Sequence, residues 1–146
     1  MIAVLQRVTS SAVVVEGETV GSIGTGFTIL LGVLKEDSKE DIDKALRKIL
    51  HLRVFADDAG KMNLSLKQVE GEMLIVSQFT LYGDCRKGRR PSFTGSAPPE
   101  EAEKLYEDFI EEVRGHGVLT RHGVFGAMMD VELVNDGPVT LIVDTP

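Results

Sequence analysis

One cysteine, Cys85, is too few for an internal disulfide and suits a reducing compartment, so the expected location is the cytoplasm. Long apolar runs are missing too. Met73-Leu74-Ile75-Val76 falls far short of the ~20 residues a membrane-spanning helix needs, so no membrane partner is expected. The start, Met1-Ile2-Ala3-Val4-Leu5-Gln6-Arg7, has no basic stretch before its apolar residues and reads as a strand, not a signal peptide. His51, His116 and His122 are the only histidines and none pairs at helical spacing, which leaves little support for a metal site; no cofactor is expected. The G-x-S-x-G elbow of serine hydrolases is absent. Gly21, Gly24 and Gly26 fit neither a dinucleotide nor a Walker loop, and Asp57-Asp58-Ala59-Gly60 lacks most of a calcium loop's ligands. No repeat, linker or low-complexity segment divides residues 1–146, so one domain is expected.

What the chain does carry is an ordinary globular composition, 42% apolar, on a net charge of −7 that disfavours non-specific coating of nucleic acid; DNA is not expected as a partner. The first third reads as strands: Val4 to Val8, Ala12 to Val15, Thr19 to Ile23, and the nearly continuous apolar run from Phe27 to Val33. Ser38 and Asp41 predict a capped helix whose stripe is Ile42, Ala45, Leu46, Ile49 and Leu50. A strand is predicted over Met73 to Leu81 and a loop over Tyr82 to Ala97. Proline and acids at Pro98-Pro99-Glu100-Glu101 open a second helix, buried through Ala102, Leu105, Tyr106, Phe109, Ile110 and Val113. Strands from Leu119 to His122, Met128 to Val134 and Val139 to Val143 close the chain. The fold class is α+β: a mainly antiparallel, barrel-like sheet covered by two helices.

Three stretches carry chemical interest. Arg86, Lys87, Arg89 and Arg90 form a basic patch on an acidic body, which fits a phosphate-bearing partner or a merely solvated loop. Ser77-Gln78-Phe79-Thr80 ends an apolar strand, either as a polar strand end or as a pocket rim offering a hydroxyl, an amide and backbone N–H groups. Asn135-Asp136-Gly137-Pro138-Val139-Thr140 is rich in turn residues and reads either as a hairpin or as a fixed main-chain element approaching a substrate. Cys85 is conceivable as a nucleophile because nearby arginines could lower its pKa, but it reads first as an incidental cysteine in a basic loop.

Taken together, Ser-Gln-x-Thr at 77–80 and Asn-x-Gly-Pro-Val-Thr at 135–140 make the chain resemble the D-aminoacyl-tRNA deacylases over essentially its full length. The stretches at 3–8, 61–65 and 86–93 match as well. The resemblance implies a homodimeric hydrolase with aminoacyl-tRNA as partner, splitting the ester between a D-amino acid and the terminal adenosine. Gly137 and Pro138, joined by a cis peptide, would reach into the other subunit's pocket and exclude L-residues while admitting glycine. Ser77, Gln78, Phe79 and Thr80 would form the catalytic strand end, Phe125 and Met129 the pocket wall, and Arg86, Lys87, Arg89 and Arg90 the tRNA contact. Backbone N–H groups near Gln78, Phe79 and Thr80 would hold the oxyanion, and the ribose 2′-hydroxyl would assist. Thr80 is read as an orienting group, with a nucleophilic role as the alternative. Two other functions stay open: editing of a wrong L-aminoacyl-tRNA, and tRNA binding without catalysis.

Overall fold

The computed structural model describes residues 1–145. In chain order the elements are β1 (Ile2–Val15), β2 (Glu18–Ile23), β3 (Gly26–Gly32), α1 (Lys39–His51), β4 (Phe55–Ala56), β5 (Met62–Leu64), β6 (Glu72–Ser77), α2 (Pro99–Gly115), β7 (Thr120–His122) and β8 (Asp130–Asp144), with a 3-10 turn over Phe79–Tyr82.

β1 is one strand where the sequence suggests two. Antiparallel β8 runs along it from Ile2↔Asp144 to Val14↔Asp130 and keeps Ser10 extended opposite Val134. Along its other side β1 pairs with β3 through Ile2 to Val8 and with β2 through Ser11 to Val15. The sheet then continues in parallel, β3 to β6 and β6 to β7. These two parallel pairings make the sheet mixed, because α1 and α2 are crossovers that return the chain in the same direction. The sheet curls until β2 nears β7: a Cβ built on Gly21 would lie 3.0 Å from the His122 carbonyl oxygen.

Both faces of the middle strands are buried, which is why their sequences do not alternate. Met73 and Ile75 join Phe27, Ile29 and Leu31 beneath the stripes of α1 and α2, including Leu46, Ile49, Phe109 and Val113. Leu74 and Val76 point the other way, into the curl of the sheet with Val8, Val13 and Ile23. There the one polar pair is internally satisfied, Thr28 donating its hydroxyl to Ser11 Oγ at 2.6 Å. Both helices start where the sequence places them. The Ser38 N–H donates to the Asp41 carboxylate at 2.9 Å, which holds that acid below its ordinary range, and Pro99 occupies the first turn of α2.

Gly26 is needed for the parallel register. It faces Glu72, and a Cβ added to it would sit 1.9 Å from the Glu72 carbonyl oxygen. Gly26→Ala is therefore expected to destabilise the chain by about 3 kcal/mol or more, since backbone must move. Urea unfolding checks this; a midpoint within experimental error of wild type would refute it.

Candidate active site

The predicted strand from Met73 to Leu81 stops at Ser77. The Gln78 N–H makes the last ladder-like bond, to the Leu31 carbonyl at 2.8 Å. The chain then turns, with Leu81 N–H donating to the Gln78 carbonyl and Gly83 N–H to the Thr80 carbonyl. Ser77 and Phe79 consequently do not share a strand face, and Phe79 is 55% exposed. One expected oxyanion donor is also lost, because the Gln78 N–H is already committed to Leu31. The N–H groups of Phe79 and Thr80 have no backbone or side-chain acceptor among the described residues. The Gln78 side-chain amide donates to Thr80 Oγ1, fixing the two polar groups against each other.

This turn forms the floor of a cleft of about 720 Å³. Ser77, Gln78, Phe79 and Thr80 all line it, as do Phe125 and Met129 on the segment entering β8. The opposite wall comes from Phe93, Ser96 and Ala97 and from the start of α2, with Ser96 Oγ donating to the Phe79 carbonyl at 3.3 Å and Ala97 N–H to the Val33 carbonyl at 3.0 Å. None of the described residues lining the cleft has an ionisable side chain. Such a cleft is sized for a small-molecule moiety, and its chemistry must come from amide dipoles and hydroxyls. Cys85 lies exposed outside it, and the described residues contain no cluster of three His, Cys, Asp or Glu side chains placed to hold a metal.

The basic loop adjoins the cleft mouth. Asp84 and Ser92 pair by two backbone hydrogen bonds, 2.7 and 3.0 Å, and close the excursion that carries it. Phe93 then packs its ring edge-on to Phe79, centroids 5.1 Å apart. Arg86 is spent on Asp84, which it grips with two nitrogens at 2.7 and 2.8 Å, so that the carboxyl sits below its ordinary range. Lys87, Arg89 and Arg90 are exposed and make no salt bridge among the described residues.

Gly137 and Pro138 do not line this cleft. They lie six or more residues along β8 from Val131, roughly 20 Å at strand rise. Nor do they form a hairpin: β8 continues past them, with a bulge in which Asp136 to Val139 face the single β1 residue Arg7. Their peptide is cis, and Gly137 has φ +136°. The bulge is braced from both sides. Asn135 Oδ1 accepts the Val139 N–H at 2.7 Å. Arg7, 9% exposed, donates through Nε to the Asp136 carbonyl at 3.0 Å and through Nη1 to the Val54 carbonyl at 2.5 Å.

Comparison with known proteins identifies the family. The D-Tyr-tRNA(Tyr) deacylase family model matches residues 4–144. The chain belongs to that family. It is 62% identical over 145 residues to the D-aminoacyl-tRNA deacylase of Desulfatibacillum aliphaticivorans, covering 99% of each chain. It is 59% identical to that of Thermosipho africanus, covering 99% of this chain and 97% of the relative. A solved structure titled c-Myc DNA Unwinding Element Binding Protein superposes with TM-score 0.94 at 44% identity, covering 100% of this chain and 99% of that one. A probable eukaryotic D-amino acid tRNA deacylase, 22% identical, shares the fold at TM-score 0.86 over 99% and 98% of the two chains.

Arg7 is the residue that sequence reading missed as a functional candidate. A lone arginine in a strand gives no signal; only the unmatched four residues across the ladder reveal its task. Arg7→Ala leaves two main-chain carbonyls without a donor and is expected to lower the unfolding free energy by about 2–4 kcal/mol, with Arg7→Lys losing roughly half as much. Denaturant titration measures both, and equal stability of all three proteins would refute the bracing role.

Proposed function

We propose that the cleft hydrolyses the ester joining a D-amino acid to the 3′-terminal adenosine of tRNA. That the chain is a D-aminoacyl-tRNA deacylase, a hydrolase, follows from its family. The observation that carries the mechanism is the pairing of two free N–H groups, on Phe79 and Thr80, with a cleft wall free of ionisable side chains. Water attacks the ester carbonyl carbon, the negative charge gathers on the carbonyl oxygen, and these N–H groups hold it. The ribose 3′-oxygen then leaves with the proton, assisted by its neighbouring 2′-hydroxyl as the family resemblance implies. Removing one oxyanion donor from such a site costs about 2.7–4 kcal/mol, so the amides account for a large share of the barrier without a side-chain base.

Thr80 orients rather than attacks. Its oxygen accepts the Gln78 amide hydrogen, and among the described residues no base is hydrogen-bonded to it to remove its proton. Phe125 and Met129 bound the amino-acid side, and Lys87, Arg89 and Arg90, with Arg86 fixed by Asp84, face the acceptor-stem phosphates beside the mouth.

Handedness is read by main chain. Gly137 and Pro138 of a second copy enter the cleft and fill the space an L side chain requires, while a D side chain, or the hydrogen of glycine, points away. Two features support that homodimer. The chain's own Gly137–Pro138 lies too far along β8 to serve its own cleft. The outer edge of β8 pairs with no described strand, and one face of β8 exposes Val134 and Ile142, so a second copy can cover both. The expected setting is the cytoplasm, where aminoacyl-tRNA is made.

Purified protein is expected to release D-tyrosine from D-tyrosyl-tRNA and glycine from glycyl-tRNA, and to leave L-tyrosyl-tRNA intact. Release of L-tyrosine would favour the L-editing reading, and no release at all the binding-module reading. Thr80→Ala is expected to retain substantial deacylation, within about a hundredfold of wild type, and no covalent adduct is expected on quenching. Complete loss in a folded dimer would return Thr80 to the nucleophile role.

A further inference from the structure

The cations outside the loop at 86–90 are not evenly spread. Lys44, Arg47, Lys48 and Arg53 fall within ten residues that contain no acid, a formal charge of +4 in a chain of −7. Together with His51 and Leu52 they line a shallow groove of about 420 Å³ at the C-terminal end of α1. Complementing the helix dipole explains Lys48 and His51, which lie in the last turn. It does not explain Lys44 and Arg47, further back, or Arg53 beyond the helix end.

The groove keeps most of its charge uncompensated. Lys44 pairs with Glu40 at 3.1 Å, but Arg47, Lys48 and Arg53 make no salt bridge among the described residues. Arg53 is held in place all the same, donating to the carbonyl and the side-chain oxygen of Asn63, both neutral. A fixed guanidinium whose partners carry no charge is available to an anion.

Its position is tied to Gly137–Pro138. Val54, next to Arg53, gives its carbonyl to Arg7 Nη1, and the same guanidinium holds the Asp136 carbonyl through Nε. One buried side chain therefore joins the base of the groove to the bulge that the function above assigns to substrate recognition.

We propose that this groove is a second phosphate-binding surface for the tRNA substrate, contacting its backbone independently of sequence. It rests on the reading that Gly137–Pro138 serves a cleft, which brings the groove to the substrate-bearing side. The residue types fit backbone contacts: lysine and arginine on an open surface position a nucleic acid without reading its bases.

The test is Arg47→Glu/Lys48→Glu in the full-length protein, with folding followed by thermal melting and Arg47→Gln/Lys48→Gln as the milder second variant. Binding of uncharged tRNA, read by fluorescence anisotropy across a salt series, is expected to weaken on the order of tenfold. The slope of log affinity against log salt should flatten by about 1.5, from roughly 0.7–0.9 per lost phosphate contact. Turnover of D-tyrosyl-tRNA should lose through KM, not kcat. Wild-type affinity and slope in both variants would overturn the proposal. So would an equal loss on D-tyrosyl-adenosine, which has no phosphate, or a charge-dependent loss seen with duplex DNA and not with tRNA. A wild-type protein that binds tRNA through these cations but releases no D-tyrosine would defeat the deacylase reading and leave the groove standing.

Discussion

Arg7 sits where one residue of β1 must answer four residues of β8, and the arrangement of the Gly137–Pro138 bulge follows from that mismatch. The excursion from Asp136 to Val139 leaves the β1 ladder, and a donor reaching it from β1 fixes the path it takes. The guanidinium supplies that donor in a fixed fork: one arm holds the Asp136 carbonyl, the other the Val54 carbonyl beyond α1. A flexible ammonium offers no such fork, which is why an arginine suits the position. The bulge is thereby attached to the helical layer as well as to the sheet.

The cleft is organised by a different economy of hydrogen bonds. Along its whole length to Ser77 β6 pairs with β3, and Gln78 makes one further bond to Leu31 before the chain turns. The next two N–H groups have no protein acceptor among the described residues, and they sit at the floor of a cleft whose walls offer side chains of phenylalanine, methionine, alanine and serine. In such surroundings a dipole is stronger than in water and an uncompensated charge is costly, so amides suit a charge that exists only in the transition state.

Charge is segregated from this apolar cleft. The exposed cations of the loop at 86–90 flank its mouth through the Phe79–Phe93 contact, and the α1 groove gathers a second set near the β8 bulge. An acidic body with two local basic surfaces repels polyanions in most orientations and holds them in a few.

The helices, the buried stripes and the grouping of cations were legible in the sequence because each depends on residues near one another in the chain. Ser38 with Asp41, and Pro99 with the acids behind it, fix their helix starts locally. The two motifs at 77–80 and 135–140 were legible as a pair through resemblance. What local pattern did not reveal was the end of β6 at Ser77, since Gln78, Phe79 and Thr80 read equally well as strand until Leu31 takes the Gln78 N–H. It also did not reveal the continuity of β8 through Gly137–Pro138, where turn-forming residues are overruled by pairing with β1 on either side. Arg7 gained its role only when β1, β8 and the segment after α1 came together, because its partners are main-chain carbonyls 47 and 129 residues away. Sequence determined which residue types were available for the chemistry. Tertiary structure alone decided which backbone groups were already bonded and which remained free, because hydrogen-bond satisfaction is a property of the assembled sheet.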